Sequence, residues 1–307
     1  MKPVGRECTE QIDLLEGCTQ RFQRLLPEND TMTSFDFDET LAEKVATALR
    51  AGRAEQPEME LAFVLYELNR STWSVEKVEV FLDELADGVS PYHVFGEFPI
   101  PGTQATIAVP RCVMPPGSVT PDMIRVIQEI VNRYRPSRIV DMGCGTGVLG
   151  IAANLVWTGS TGLLIDIDQA AASCSCDNVR RLGLADRVIV VQSDGLGCVR
   201  PQTADMLIAN LPFVPDAEMA TLTRRFAVHA PAGAVRGGVD GFNVFRQVVA
   251  CISEVIAPAA SVVLQIGTGQ KQAIVDMFAH YAPTLRMVKS SEYDHVIIFT
   301  THNNTDL

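Results

Sequence analysis

Ile139-Val140-Asp141-Met142-Gly143-Cys144-Gly145-Thr146-Gly147-Val148-Leu149-Gly150 runs from an apolar strand through an acidic residue and a glycine turn into a helix. Glycines let a backbone turn sharply and approach a ligand with no Cβ in the way. A turn of this kind also opens dinucleotide-binding units, so the spacing has to separate the readings. Those units use Gly-x-Gly-x-x-Gly and seat a pyrophosphate on the helix N-terminus. Here the spacing is Gly-x-Gly-x-Gly, with Asp141 close before it. A carboxylate at that point repels a pyrophosphate and suits a cationic ligand.

Two further strand ends carry carboxylates. Leu163-Leu164-Ile165 leads into Asp166, placed to accept hydrogen bonds from both hydroxyls of a ribose. Gln192-Ser193-Asp194 follows the next strand, and Asp194 is placed to accept from an adenine amine. One such Asp reads equally well as a helix cap; three on successive strands after a glycine turn read as a nucleoside site. The ligand that combines a cation, an amino acid and adenosine is S-adenosylmethionine. The expected cofactor set is Asp141, Gly143, Cys144, Gly145, Thr146, Gly147, Asp166, Ile167, Ser193, Asp194 and Asn210.

Outward from this core, apolar runs alternate with helical patterns. The runs are Ile139–Met142, Gly162–Ile165, Val188–Val191, Met206–Ala209, Ser261–Ile266 and Val296–Phe299. The helical stretches are Val148–Trp157, Asp168–Leu182, Phe242–Ile256 and Lys271–Tyr281. This alternation predicts an α/β, doubly wound, mostly parallel sheet with helices on both faces. Upstream, Leu41, Val45, Ala48 and Leu49, then Leu61, Val64, Leu65 and Leu68, then Val78, Phe81, Leu82 and Leu85 recur at helical spacing. Ser74 reads as an N-cap. The expected division is an arm at 1–33, a helical substrate-recognition domain at 34–90, a β-hairpin linker at 91–118 and a catalytic domain at 119–307.

The formal net charge of −12 disfavours a nucleic-acid face, which needs clustered Lys and Arg. The apolar window Val248–Ile266 is broken by Ser253, Glu254 and Pro258, so it reads as a helix and a buried strand rather than a membrane span. With no signal-peptide core between Met1 and Leu15, a cytoplasmic location is expected. The eight cysteines show no zinc-type spacing; free thiols and no metal are expected.

Residues 138–300 resemble the Rossmann-like S-adenosylmethionine-dependent methyltransferases. More narrowly, they are similar to the protein-glutamine N-methyltransferases that modify translation release factors. The likeness rests on Asp166-Ile167-Asp168, on Asn178 with Arg181-Leu182-Gly183-Leu184, and on Asn210-Leu211-Pro212-Phe213. It continues through Gly237-Gly238-Val239-Asp240-Gly241 and Gln265-Ile266-Gly267-Thr268-Gly269-Gln270. The resemblance implies a seven-stranded sheet, a helical N-terminal domain and a hairpin between them.

Asn210-Leu211-Pro212-Phe213 also resembles the Asn-Pro-Pro-Tyr motif of methyltransferases that act on planar nitrogens. An amide nitrogen is a poor nucleophile because its lone pair is delocalised. The Asn210 side-chain oxygen and the Leu211 carbonyl are expected to accept its N–H groups and hold it in line. Pro212 shapes the turn, and Phe213 is expected to stack on the flat acceptor. Leu211 departs from the first proline but keeps the carbonyl.

A second departure lies upstream. The glutamine methyltransferases carry Ile-Pro-Arg-Pro-Glu-Thr, where this chain has Val113-Met114-Pro115-Pro116-Gly117-Ser118-Val119-Thr120, without the Arg and Glu. The acceptor is therefore expected to be a planar amide or amine of a small molecule or of a peptide or protein. Alternatives are methylation of a specialised metabolite at O, C or S, and a cofactor-binding scaffold without chemistry; a nucleic-acid acceptor is disfavoured by charge. His229 is a further candidate for an acceptor contact or base.

Overall fold

The computed structural model describes residues 39–54, 57–70, 74–222, 224–290 and 295–301. The arm at 1–33, Cys8, Cys18 and residues 34–38 of the expected helical domain lie outside the described residues. In chain order the elements are α1 Glu39–Ala51, α2 Pro57–Arg70, α3 Val75–Ala86, α4 Pro91–Phe95, β1 Glu97–Pro99, β2 Thr106–Ala108 and α5 Thr120–Tyr134. Then come β3 Arg138–Met142, α6 Val148–Val156, β4 Thr161–Asp166, α7 Gln169–Arg181, β5 Val188–Gln192 and β6 Ala204–Asn210. The rest are β7 Val214–Pro215, α8 Arg224–His229, β8 Arg236–Gly238, α9 Asn243–Val255, β9 Ile256–Gln265, α10 Lys271–Tyr281, β10 Arg286–Ser290 and β11 Val296–Thr300.

The chain forms two compact units. One holds the described residues up to Thr106 together with Leu222–His229; the other holds Ile107–Thr221 and the residues from Ala230 onward. The first unit is helical. Val45, Leu49, Leu61, Val64, Leu65, Phe81 and Leu85 share one buried cluster, the face that the helical spacing marks out. Ser74 caps α3 by accepting from the Lys77 N–H at 3.3 Å. A buried ion pair joins Arg225 of α8 to Glu60 of α2 within this unit, with Arg225 Nη2 2.8 Å from Glu60 Oε2.

Part of the stretch expected as hairpin is helical instead. Pro91 opens α4 at a position where a missing N–H costs nothing, and Gly96 closes it at φ +74°. The two strands of the hairpin follow, each three residues long.

The second unit carries a seven-stranded sheet in the order β10-β11-β9-β6-β3-β4-β5. Within it β9, β6, β3, β4 and β5 are parallel neighbours, and β11 runs antiparallel to both β9 and β10. Strands β3 and β6 are buried nearly throughout, as expected of central strands covered on both faces. Pro258 sits inside β9, where the register against β6 jumps from Ala204↔Ile256 to Met206↔Ser261. Pro258 is exposed there, so the strand bulges at the residue that lacks an N–H. Among the described residues no helix is long and apolar enough to cross a membrane.

Candidate functional site

The glycine turn connects β3 to α6 at the carboxyl edge of the sheet, the edge at which open α/β folds bind ligands. Gly143, Gly145 and Gly147 all have positive φ, at +69°, +55° and +81°. The Gly143 and Cys144 N–H groups both donate to the Ile165 carbonyl, at 2.8 and 3.0 Å, which clamps the turn to β4. A Cβ at Gly147 would lie 2.9 Å from Ser175 Oγ and 3.1 Å from Ile151 Cδ1. Gly147→Ala therefore combines left-handed strain with crowding, and is expected to cost about 1–2 kcal/mol or more in a denaturant titration. A wild-type midpoint and slope would contradict this reading of the turn.

Helix α7 braces the turn with a buried polar face. Ser175 Oγ donates to the Gly145 carbonyl at 2.9 Å, and Asn178 Nδ2 donates to the Thr146 carbonyl at 2.9 Å. Asn178 also accepts from the Ala108 N–H at 2.7 Å and donates to the Ala108 carbonyl at 3.0 Å. Val113 packs on Ala171 and Cys174 of the same helix. The stretch at Val113, with its buried Pro115 and Pro116, thus rests on the helix that supports the turn. The sequence alone gives neither Ser175 nor Asn178 a role. The signal was a pair of polar residues three apart on a helix face that also carries Ala171 and Cys174.

The three strand-end carboxylates differ in what they do. Asp166 accepts from the Gly145 N–H at 2.8 Å through Oδ2 and from the Asp168 N–H at 2.9 Å through Oδ1. Each carboxylate oxygen has a second lone pair, so the group still has acceptor capacity. Burial raises its pKa, and the two N–H bonds oppose that rise. Asp168 is the helix cap, its Oδ1 accepting from the Ala170 N–H at 2.6 Å. Asp194 is exposed, and its side chain makes no cap bond. Ser193 donates its N–H to the Asp166 carbonyl at 2.9 Å, and Ile167 next to Asp166 is 65 % exposed.

Asp141 departs from the expected placement. It is 1 % exposed and sits behind the turn rather than facing solvent. Its Oδ2 accepts from the Gly150 N–H at 2.8 Å, and its Oδ1 has no hydrogen-bond partner among the described residues. Burial pushes its pKa up to about 7, the Gly150 N–H lowers it, and the Asp166 charge adds to the rise. The same burial lifts the Cys144 thiol well above its ordinary value. Asp141 thus holds the start of α6.

Asn210 ends β6, opposite Gln265 of β9. It is half-buried, and its side chain makes no hydrogen bond among the described residues. The next residue is anchored: Leu211 is 3 % exposed and belongs to the main core. A Cβ at Gly143 would lie 3.1 Å from Leu211 Cδ2, so the glycine turn and the Asn210 motif are packed together. Pro212 and Phe213 are half-buried. The segment beyond is held by the short parallel pair β7 and β8 and by an Asp216–Arg236 ion pair at 2.6 Å.

His229 is not part of this unit. It ends α8 in the helical unit, where its Nε2 lies 3.2 Å from the carbonyl and from Oδ2 of Asp87. The sequence places it in the loop after the Asn210 motif; in the structure it ends a helix, and the chain from Leu222 to His229 belongs to the helical unit.

The chain is similar to a release factor glutamine methyltransferase of Gloeobacter violaceus, 27 % identical over 173 residues, which are 56 % of this chain and 60 % of the relative. It is 31 % identical to a release factor glutamine methyltransferase of Rhodospirillum rubrum over 140 residues, 46 % of this chain and 43 % of that one. It spans roughly half the length of these relatives. Among solved structures it is similar to a ribosomal protein L11 methylase from Lactobacillus delbrueckii subsp. bulgaricus, with 16 % identity and a TM-score of 0.42, covering 58 % of this chain and 75 % of that one. Residues 124–239, from α5 through the glycine turn, Asp166 and the Asn210 motif to β8, match the methyltransferase small domain.

Proposed function

We propose that this chain methylates a planar amide nitrogen, that of a glutamine side chain in a protein, with S-adenosylmethionine as donor. The observation that carries the reading is the uncommitted Asn210 side chain, followed in the chain by an anchored Leu211 and by Phe213, at the same sheet edge as the glycine turn and Asp166. The relatives, release factor glutamine methyltransferases, support the acceptor class.

The residues present fit the donor. The turn at Gly143–Gly147 offers a backbone surface without side chains, Asp166 keeps acceptor capacity for ribose hydroxyls, and Ile167 is an exposed apolar surface for a flat ring. Asp194 is free to accept from an amine, and the buried Asp141 supplies negative potential for a cation. When bound, the donor supplies an electrophilic methyl on a positively charged sulfur. Asn210 Oδ1 and the Leu211 carbonyl each accept one N–H of the acceptor amide, which fixes its plane and stabilises positive charge growing on nitrogen. The nitrogen's proton is released to water once the new bond has formed. Phe213 lies against the amide plane.

The test is transfer of label from methyl-labelled S-adenosylmethionine to a purified bacterial release factor. Label on a glutamine side chain is the expected result. No label on the release factor, with transfer to a small amide instead, would favour the second reading. That reading is supported by the stretch at Val113–Thr120, which has no charged residue to engage a polypeptide.

Asp166→Ala is expected to weaken S-adenosylmethionine binding by about 1.5–3 kcal/mol in calorimetry, the scale for removing an acceptor that is charged. Unchanged affinity would move the ribose elsewhere.

A further inference from the structure

Gln270 lies outside the matched stretch, yet its side chain is the fastening of the Asn210 motif. It is 8 % exposed. Its Nε2 donates to the Phe213 carbonyl at 3.0 Å, and its Oε1 accepts from the Gly267 N–H at 2.8 Å. One amide therefore ties the backbone of the motif to the turn after β9. Three glycines close around this junction. A Cβ at Gly241 would lie 2.4 Å from the Phe213 oxygen and 2.7 Å from Gln270 Nε2. One at Gly267 would lie 3.0 Å from both Gln270 Oε1 and Phe213 Cδ2, and one at Gly237 would lie 2.8 Å from the Phe213 carbonyl carbon. The glycines at 237, 241 and 267 leave the volume that the Phe213 peptide and the Gln270 amide fill.

The geometry points to Gln270 as a positioning residue for acceptor methylation, acting through the Phe213 carbonyl to hold Phe213 and Asn210 in their working arrangement. This rests on the reading of Asn210-Leu211-Pro212-Phe213 as the acceptor motif. The side chain must present a donor to one backbone group and an acceptor to the other at the same time, and only a primary amide of this length does both. A carboxylate satisfies Gly267 but turns a second oxygen toward the Phe213 oxygen. A protonated carboxyl restores the donor. A methionine keeps the length and offers neither strong bond.

The experiment compares wild type, Gln270→Glu and Gln270→Met between pH 5.5 and 8.5, with release factor as acceptor and wild type measured at each pH. The expected result for Gln270→Glu is a loss of roughly tenfold or more in kcat at pH 8.5, shrinking to within about threefold of wild type at pH 5.5. Gln270→Met is expected to lose activity by the same factor at every pH, and both variants keep wild-type affinity for S-adenosylmethionine. Wild-type kcat in Gln270→Met, and in Gln270→Glu at pH 8.5, overturns the proposal.

Hydrogen exchange of the segment 211–216 supplies a readout that needs no acceptor. Faster exchange than wild type is expected in Gln270→Met at all pH values, and in Gln270→Glu only at high pH. Wild-type exchange in both variants overturns the fastening role. If wild type does not label the release factor but exchange behaves as expected, the acceptor reading fails and the fastening stands.

Discussion

Asn210→Ala is expected to lower turnover about 100-fold or more, the scale for losing one hydrogen-bond partner of a transition state. The structure supplies the reasons for a local effect. Asn210 ends β6 with its backbone in register against Gln265, so the strand does not depend on the side chain. Its amide has no partner among the described residues whose loss would destabilise the fold. Leu211 stays buried against Gly143 in the variant, so the glycine turn keeps its shape. With Asn210 assigned to the acceptor rather than to the expected cofactor set, S-adenosylmethionine affinity should change by no more than about twofold, while kcat and kcat/KM fall together. Phe213→Ala is expected to act differently and chiefly raise the acceptor KM, because stacking serves ground state and transition state alike. Steady-state kinetics and calorimetry on the same preparation decide the matter. Full turnover by Asn210→Ala would mean that the acceptor atom is not a planar nitrogen.

What the sequence displays and what it hides follow from how each residue works. The glycine turn is legible because positive φ and close packing demand glycine itself, and the strand before it carries an apolar run. Strand β10 is not legible. It pairs on one side only, and an edge strand written Arg-Met-Val-Lys-Ser needs no apolar run. Asp166 and Asp141 look alike in sequence, each a carboxylate at or near a strand end. Only their depth separates a group that keeps acceptor capacity from one that is 1 % exposed behind the turn. The return of Leu222–His229 to the helical unit is invisible because the buried partners Glu60 and Arg225 are 165 residues apart. Gln270 is visible only as a letter of a shared motif, since its work is a pair of backbone bonds.

Asp141 leads to the second large effect, which concerns stability and pH. Its carboxyl is displaced upward from the ordinary 3.8 to about 7, chiefly by burial. The folded protein therefore binds a proton there across a range in which the unfolded chain does not. Stability from this group is present below the unfolded value and is lost as pH rises toward 7, after which the penalty is constant. A displacement of that size corresponds to at most about 4 kcal/mol, because relaxation around a buried charge reduces it.

Asp141→Asn removes the titration. The new amide oxygen still accepts from the Gly150 N–H, and the amide nitrogen takes the place of the unpartnered Oδ1, at a cost of about 1–3 kcal/mol for an unsatisfied buried donor. Wild type should lose stability relative to the variant as pH rises from about 4 to 7, so that the variant is the more stable of the two at pH 8. A cationic ligand favours the ionised form, so wild-type affinity for S-adenosylmethionine should rise as pH increases from 6 to 8, with proton release on binding. In the variant that rise should flatten and affinity at pH 8 should fall. Denaturant titrations at the two pH values and calorimetry in buffers of different ionisation enthalpy measure both parts. A stability difference between variant and wild type that is the same at pH 5 and pH 8 would show that Asp141 is already ionised in the folded protein at pH 5.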